Sequence, residues 1–113
     1  MLTMAEARWK RHERQVAQLL GGRRQPNTGR PSPDVLSPQW AIEVKTRRSL
    51  PRWLLTALSQ AEAGGRATGR RPLLVLVHAP GQGRKARRFA ILPLEALVAW
   101  RRESGDDGKE VTP

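Results

Sequence analysis

The segment PDVLSPQWAIEVK, residues 33–45, decides the fold predicted for this chain. Residues 39–46 alternate between apolar and polar side chains, which predicts a half-buried strand. Val35-Leu36 predicts a shorter strand, which a turn at Ser37-Pro38 joins to the strand at 39–46. One face of the longer strand would carry Trp40, Ile42 and Val44, and the other would carry Ala41, Glu43 and Lys45.

A helix is predicted before this pair of strands. Thr3 to Glu6 fits the capping-box pattern, and the helix should run to Leu20 before Gly21-Gly22 end it. Glu13 shares the apolar stripe of this helix, which is formed by Trp9, Val16, Ala17 and Leu20. A carboxylate on a stripe that faces the core conflicts with burial unless it has a partner or a function.

The remaining elements complete an α/β pattern. Residues 21–33 are rich in Gly, Pro and Arg and predict an irregular loop. A second helix is expected from Pro51 to about Ala63, ended by Gly64-Gly65. Later come a strand at 73–77 covered on both faces, a partner strand at 89–92 and a last helix at 93–102. This order predicts a sandwich of helices around a central mixed sheet. We expect one domain, residues 1–103, and a polar, disordered tail, residues 104–113.

The charge of the chain points to a polyanionic partner. It has 21 Lys and Arg against 10 Asp and Glu, a formal net charge of +11. Such a surface binds nucleic acid through the release of counterions. The absence of cysteine excludes disulfides and a thiolate nucleophile. No apolar run approaches the length of a membrane span, so we expect no membrane partner and a cytoplasmic location. The basic turn GQGRKA lacks the ending of a phosphate-binding loop, so we expect no nucleotide cofactor.

Three acids suggest chemistry in this basic chain: Glu13, Asp34 and Glu43. Two carboxylates about 4 Å apart repel by about 4 kcal/mol at an effective dielectric of about 20, so a cation must offset them. Lys45 supplies one charge, and Mg²⁺ binds through one or two carboxylates together with substrate phosphate. The metal would polarise a scissile phosphate and lower the pKa of a bound water, while Lys45 would orient that water or neutralise the transition state. Phosphodiester hydrolysis is the reaction that this pattern favours.

The same residues resemble a known nuclease signature. Pro33-Asp34, followed after eight intervening residues by Glu43-Val44-Lys45, resembles the PD-(D/E)XK motif, and Glu13 on a first helix adds to the likeness. With the loop ending Thr28-Gly29, the chain looks like the small archaeal-type Holliday junction resolvases, including those carried by phages. The resemblance covers most of residues 8–80 in order and spacing.

This resemblance implies a restriction-endonuclease-like sandwich and a homodimeric, Mg²⁺-dependent endodeoxyribonuclease, with Mn²⁺ as a possible substitute. Such an enzyme places paired symmetric nicks across a four-way DNA junction, in the cytoplasm of a prokaryote or of a phage-infected cell. By the same likeness the catalytic residues are Glu13, Asp34, Glu43 and Lys45, and the metal ligands are the three acids and the carbonyl of Val44. Thr28 falls near a loop serine of those resolvases, and Gln60 resembles a helix glutamine of several related nucleases.

The predicted DNA contacts lie in the Arg-rich loop of residues 21–33, just after the strand at 39–46, on the second helix and in the basic turn before the strand at 89–92. The loop and the turn would hold the DNA backbone without reading bases. The residues are Arg23, Arg24, Thr28, Arg30, Arg47, Arg48, Gln60, Arg84 and Lys85.

Other interpretations stay open. The chain could be a related nuclease that cuts flaps, nicks or duplex, a non-catalytic nucleic-acid-binding module whose acids form ion pairs, or an Arg-rich RNA-binding protein. Glu13 could pair with Arg24 or Lys45 as a buried salt bridge. The four tryptophans could stack on unpaired bases, although their periodicity is more typical of core or dimer contacts.

Overall fold

The first helix, α1, spans Met4–Leu20 in the computed structural model, which describes residues 4–26 and 29–105. It ends where the sequence predicts. Gly21 adopts a φ of 66°, and the N–H groups of Gly21 and Gly22 donate to the carbonyls of Gln18 and Ala17, at 3.4 and 2.7 Å. This pair of bonds is a Schellman motif, which satisfies the last carbonyls of the helix. Thr3 of the predicted capping box lies outside the described residues.

A three-stranded antiparallel sheet follows α1, in the order β1-β2-β3. The strands are β1 (Arg23–Arg24), β2 (Val35–Leu36) and β3 (Ala41–Ile42). Strand β1 falls in the segment predicted to be an irregular loop, so that prediction is wrong there. Pairing with β2 explains the strand, since Arg24 lies opposite Val35 and the N–H of Gln25 donates to the carbonyl of Asp34 at 2.8 Å. Tertiary pairing outweighs a composition rich in loop formers.

The chain enters this sheet through a close approach at Gly22. A Cβ at Gly22 would lie 2.5 Å from the carbonyl oxygen of Leu36, so glycine is the side chain that fits. Helix α1 packs on β1 and β2, and the buried apolar residues here are Ala17, Leu20 and the fully buried Val35. These contacts hold the first unit together through a small apolar core.

Strand β3 is shorter than predicted. The sequence predicts a strand over residues 39–46, whereas the ladder ends at Ile42 because β2 offers only two residues to pair with. Alternating exposure nevertheless continues from Ala41 to Lys45, with Ile42 and Val44 half-buried. Trp40 is 43% exposed, so it does not share the covered side that the alternation predicts for it.

Residues 49–100 form a second compact unit, and the other described residues form the first. In the second unit, helix α2 spans Arg52–Thr68 and ends at Gly69, with a φ of 65°. The predicted end at Gly64-Gly65 is therefore wrong. Gly65 is buried, and a Cβ there would lie 2.5 Å from the carbonyl oxygen of Arg70, so this glycine permits the chain to return across the helix.

The second sheet is an antiparallel hairpin of β4 (Leu74–His78) and β5 (Arg87–Ile91), with Leu76 opposite Phe89. Val75 and Val77 are 51% and 57% exposed, so the prediction that this strand is covered on both faces is wrong. The last helix, α3, spans Leu94–Glu103.

The chain is a small α/β protein. Its described strands form two antiparallel sheets, and the expected arrangement around one central mixed sheet stays a prediction. None of the helices in the described ranges has the length and apolar character to cross a membrane. The single domain of residues 1–103 stays a prediction, and most of the predicted tail, from residue 106 onward, lies outside the described residues.

Candidate functional site

Two pockets in the first unit share the same three residues, Trp9, Glu13 and Asp34. The larger has a volume of about 290 Å³ and is also lined by Val44, Lys45, Thr46 and Arg47. The smaller, of about 180 Å³, is also lined by Arg24, Gln25, Pro26, Arg30, Ser32 and Pro33. We call these two spaces together the acid pocket. Two of the three predicted acids thus lie side by side in a basic surrounding.

Asp34 is held from two directions. Its Oδ2 accepts a hydrogen bond from the backbone N–H of Val44 at 2.8 Å, which closes the open end of the β2-β3 hairpin. Its own carbonyl accepts the N–H of Gln25 at 2.8 Å, which ties it to the end of β1. These two hydrogen bonds fix Asp34 immediately before β2. The residue is half-buried, so its carboxylate stays partly in contact with solvent.

Glu13 forms an ion pair with Arg24. The Nε of Arg24 donates to Oε2 of Glu13 at 2.5 Å, and the two side chains are 30% and 7% exposed. Arg24 reaches this carboxylate because β1 lies against α1. The sequence left open whether Glu13 pairs with Arg24 or with Lys45, and the structure shows the pair with Arg24. The conflict of an acid on the apolar stripe is therefore resolved by a charge-assisted hydrogen bond.

Glu43 and Lys45 form a second, different ion pair. Their Oε2 and Nζ atoms are 3.8 Å apart, and the side chains are 57% and 70% exposed. A pair this exposed stabilises the fold by about 0–1 kcal/mol. Lys45 lines the larger pocket, whereas Glu43 lines neither of the two. The alternation after β3 directs Glu43 to the solvent side, where its carboxylate meets Lys45.

The structure thus brings together Glu13, Asp34, Val44 and Lys45 and leaves Glu43 outside the acid pocket. Within residues 4–26 and 29–105, no three His, Asp or Glu side chains lie close enough to hold a metal ion. The predicted convergence of three acids is therefore absent from this arrangement, and two of them meet.

The donor set of the acid pocket suits a hard cation in part. The hydrogen bonds described above engage Oδ2 of Asp34 and Oε2 of Glu13, and each carboxylate has a second oxygen. Mg²⁺ commonly binds one or two carboxylates and completes its shell with water and substrate phosphate. Asp34, Glu13 and the carbonyl of Val44 are the residues that could hold it. Arg24 competes with a metal for Glu13, because both neutralise the same charge.

Trp9 is the pocket residue that the sequence interpretation placed elsewhere. It is 38% exposed and lines both pockets, so it is not a core residue. The Nζ of Lys10 and the Cζ of Arg24 each lie 5.8 Å from a centroid of its ring system. Its position one helical turn before Glu13 was the available signal, since residues four apart share a helix face.

The predicted DNA contacts divide between the two units. In the first unit, Arg24 and Arg30 line the smaller pocket and Arg47 the larger, while Arg23 and Arg48 are exposed. In the second unit, Gln60 is exposed on α2, and Arg84 and Lys85 are exposed in the turn between β4 and β5. Thr28 lies outside the described residues.

Comparisons of the chain with protein-family models, curated proteins and solved structures returned no match. The likeness to junction resolvases therefore rests on the residues themselves, and the function inferred from it is a proposal.

Proposed function

We propose that this chain is a metal-dependent, structure-selective endodeoxyribonuclease that resolves four-way DNA junctions by paired symmetric nicks. The observation that best supports this proposal is the acid pocket, which joins Asp34 and Glu13 to Lys45 in a chain with a net charge of +11. Acids that line a pocket in so basic a chain have a ready use, which is to offset a cation placed against a phosphate.

Each residue of the acid pocket has a chemical role in this proposal. Mg²⁺ or Mn²⁺, held by Asp34, Glu13 and the carbonyl of Val44, would supply Lewis acidity toward the scissile phosphate. The fixed carboxylate of Asp34 places negative charge at one point, which sets where that cation binds. Lys45 offers an ammonium group that stabilises the charge developing on the phosphate oxygens and orients the attacking water. Arg24 and Arg30 bind the flanking phosphates, for which a planar guanidinium is well suited.

Glu43 takes a less direct part in this proposal. Its carboxylate pairs with Lys45, so it would hold the lysine side chain near the larger pocket when DNA is absent. A role as a third metal ligand, which the resemblance implies, requires its side chain to leave this pair.

The proposal includes a fold and an assembly. We propose a restriction-endonuclease-like sandwich as the arrangement of the whole chain, and a homodimer as the active species in the cytoplasm of a prokaryotic or phage-infected cell. A four-way junction has near two-fold symmetry, so a two-fold dimer would present one acid pocket to each of two strands. Light scattering across the working concentrations tests the dimer, and a strict monomer would contradict it.

A second candidate function has its own support. In the described structure Glu13 is paired with Arg24, and Glu43 with Lys45, as expected of a non-catalytic nucleic-acid-binding module whose acids serve the fold. For such a module, replacing Asp34 would change stability alone. A nuclease that cuts flaps, nicks or ordinary duplex is a third candidate, and substrate choice separates it from a resolvase.

The deciding experiment compares wild type with Asp34→Asn on a labelled four-way junction and on matched linear duplex, with Mg²⁺ or with EDTA. Asparagine keeps an oxygen that can accept the N–H of Val44 and removes the charge, so the variant should fold and bind DNA. We expect paired symmetric nicks in the junction that need both the metal and Asp34. Equal cutting of duplex would favour the third candidate. Junction binding without cleavage in any divalent metal would favour the binding module.

A further inference from the structure

The indole of Trp9 forms an aromatic wall of the acid pocket, and the proposed chemistry gives it no role. A tryptophan in a core leaves little of its surface accessible. Trp9 instead remains 38% exposed and lines both pockets beside Glu13 and Asp34. A flat apolar surface is therefore accessible from the space where the phosphate would lie.

Positive charge surrounds this surface. The Nζ of Lys10 and the Cζ of Arg24 both lie 5.8 Å from the ring, near the outer limit of about 6 Å for a cation-π contact. Both contacts are weak at this distance, so a base that stacks closely on the ring can replace them. An aromatic face with basic side chains beside it matches single-stranded nucleic acid, whose bases stack on the ring while the phosphates meet the cations.

The spacing on α1 suits one nucleotide. Trp9 and Glu13 are four residues apart on the helix, which places their Cβ atoms about 5–6 Å from each other. In a nucleotide the base and the phosphate are joined by a single sugar. A strand whose phosphate lies at the carboxylates of Glu13 and Asp34 therefore has a neighbouring base within reach of the indole.

We propose that Trp9 is a stacking site for an unpaired nucleobase next to the phosphate in the acid pocket. This inference rests on the proposed function, and it defines the substrate more narrowly: the DNA strand must offer a base released from its duplex, as a branch point does. Uninterrupted duplex keeps its bases stacked on each other and cannot use the indole.

The test measures binding in Ca²⁺, a hard cation that carboxylates can hold in place of Mg²⁺, and a denaturing gel checks that the oligomers stay uncut. Fluorescence anisotropy compares a labelled single-stranded thymidine oligomer with an abasic sugar-phosphate oligomer of the same length and charge. Wild type should bind the thymidine oligomer more tightly. Trp9→Leu, which keeps apolar bulk without a π face, should weaken that binding by about 5- to 150-fold, the range of base stacking on an aromatic side chain, and leave abasic binding unchanged.

Two further variants separate stacking from folding. Trp9→Phe keeps an aromatic face and should retain most of the preference for thymidine. Trp53→Leu removes a tryptophan of the second unit that is 60% exposed and should retain all of it. Circular dichroism confirms that each variant is folded.

Three results would overturn the inference. Wild type could bind both oligomers equally, Trp9→Leu could lose affinity for both oligomers to the same extent, or Trp9→Leu could lose affinity for neither. Its failure can be told apart from that of the nuclease proposal. If the protein cuts junctions but binds both oligomers equally, only the stacking proposal is wrong. If base-dependent binding needs Trp9 but the protein never cuts DNA, only the nuclease proposal is wrong.

Discussion

The ion pair between Arg24 and Glu13 should be the polar contact on which the first unit depends most. Arg24→Met keeps much of the length of the side-chain stem and removes the charge, so the carboxylate of Glu13, whose side chain is 7% exposed, loses its partner. Because an acid buried to this extent cannot recover full hydration in place, the folded state should become less stable.

The size of the effect follows from burial. Removing one partner of a fully buried pair costs about 3–5 kcal/mol, whereas an exposed pair contributes about 0–1 kcal/mol. Arg24 is 30% exposed, so water can partly replace it, and we expect the free energy of unfolding to fall by about 2–3 kcal/mol, between the exposed and the fully buried cases.

The assay is urea unfolding followed by far-ultraviolet circular dichroism at fixed salt, which gives the free energy from the midpoint and slope. The matched control is Lys45→Met, which breaks the exposed pair with Glu43 and should cost no more than about 1 kcal/mol. Combining Arg24→Met with Glu13→Gln should recover at least about 1 kcal/mol relative to the sum of the two single changes.

Two results would refute this reasoning. Arg24→Met could be as mild as Lys45→Met, or its effect could add fully to that of Glu13→Gln. Either result would mean that burial at Glu13 carries no electrostatic penalty, and the acid would then be better described as a solvated ligand that waits for a cation.

Three other predictions concern glycines and the basic turn. Gly64→Ala should raise the free energy of unfolding by about 0.5–1 kcal/mol, since its Cβ would meet nothing within 4 Å, whereas Gly65→Ala should lower it by about 1–3 kcal/mol; thermal melts compare the two neighbours. Gly22→Ala should also lower it by about 1–3 kcal/mol in the same assay, because its Cβ would lie 2.5 Å from a carbonyl oxygen. Changing Arg84 and Lys85 together to Ala should reduce the slope of log affinity for duplex against log salt by about 1.8, and an unchanged slope would remove this turn from the DNA interface.

Local rules predicted the parts of the fold that local contacts decide. The end of α1 at Leu20 follows from two glycines that complete a Schellman motif, and both lie beside the helix they end. The alternation from Ala41 to Lys45 was equally visible, because the period of extended backbone is a property of the backbone itself.

Features that depend on distant contacts escaped prediction. Gly65 looked like a helix stop, yet its role is to admit the carbonyl of Arg70, a contact that appears only once the chain has turned back. Strand β1 exists because β2 lies beside it, and its own residues carry no strand signal. Of the site, the meeting of Asp34 with Glu13 was predicted, while the position of Glu43 depended on which side of its segment would be covered.

The hydrogen bond from the N–H of Val44 to Asp34 has a consequence for reading related sequences. Asp34 joins the chain before β2 to the chain after β3, at the open end of this hairpin, whether or not the protein cuts DNA, so a descendant that had lost its chemistry would still gain from keeping this acid. Lys45, 70% exposed and paired only at the surface, has little structural reason to persist. Across a set of homologues, retention of the lysine would therefore be the more informative sign of an active enzyme, and retention of the aspartate the weaker one.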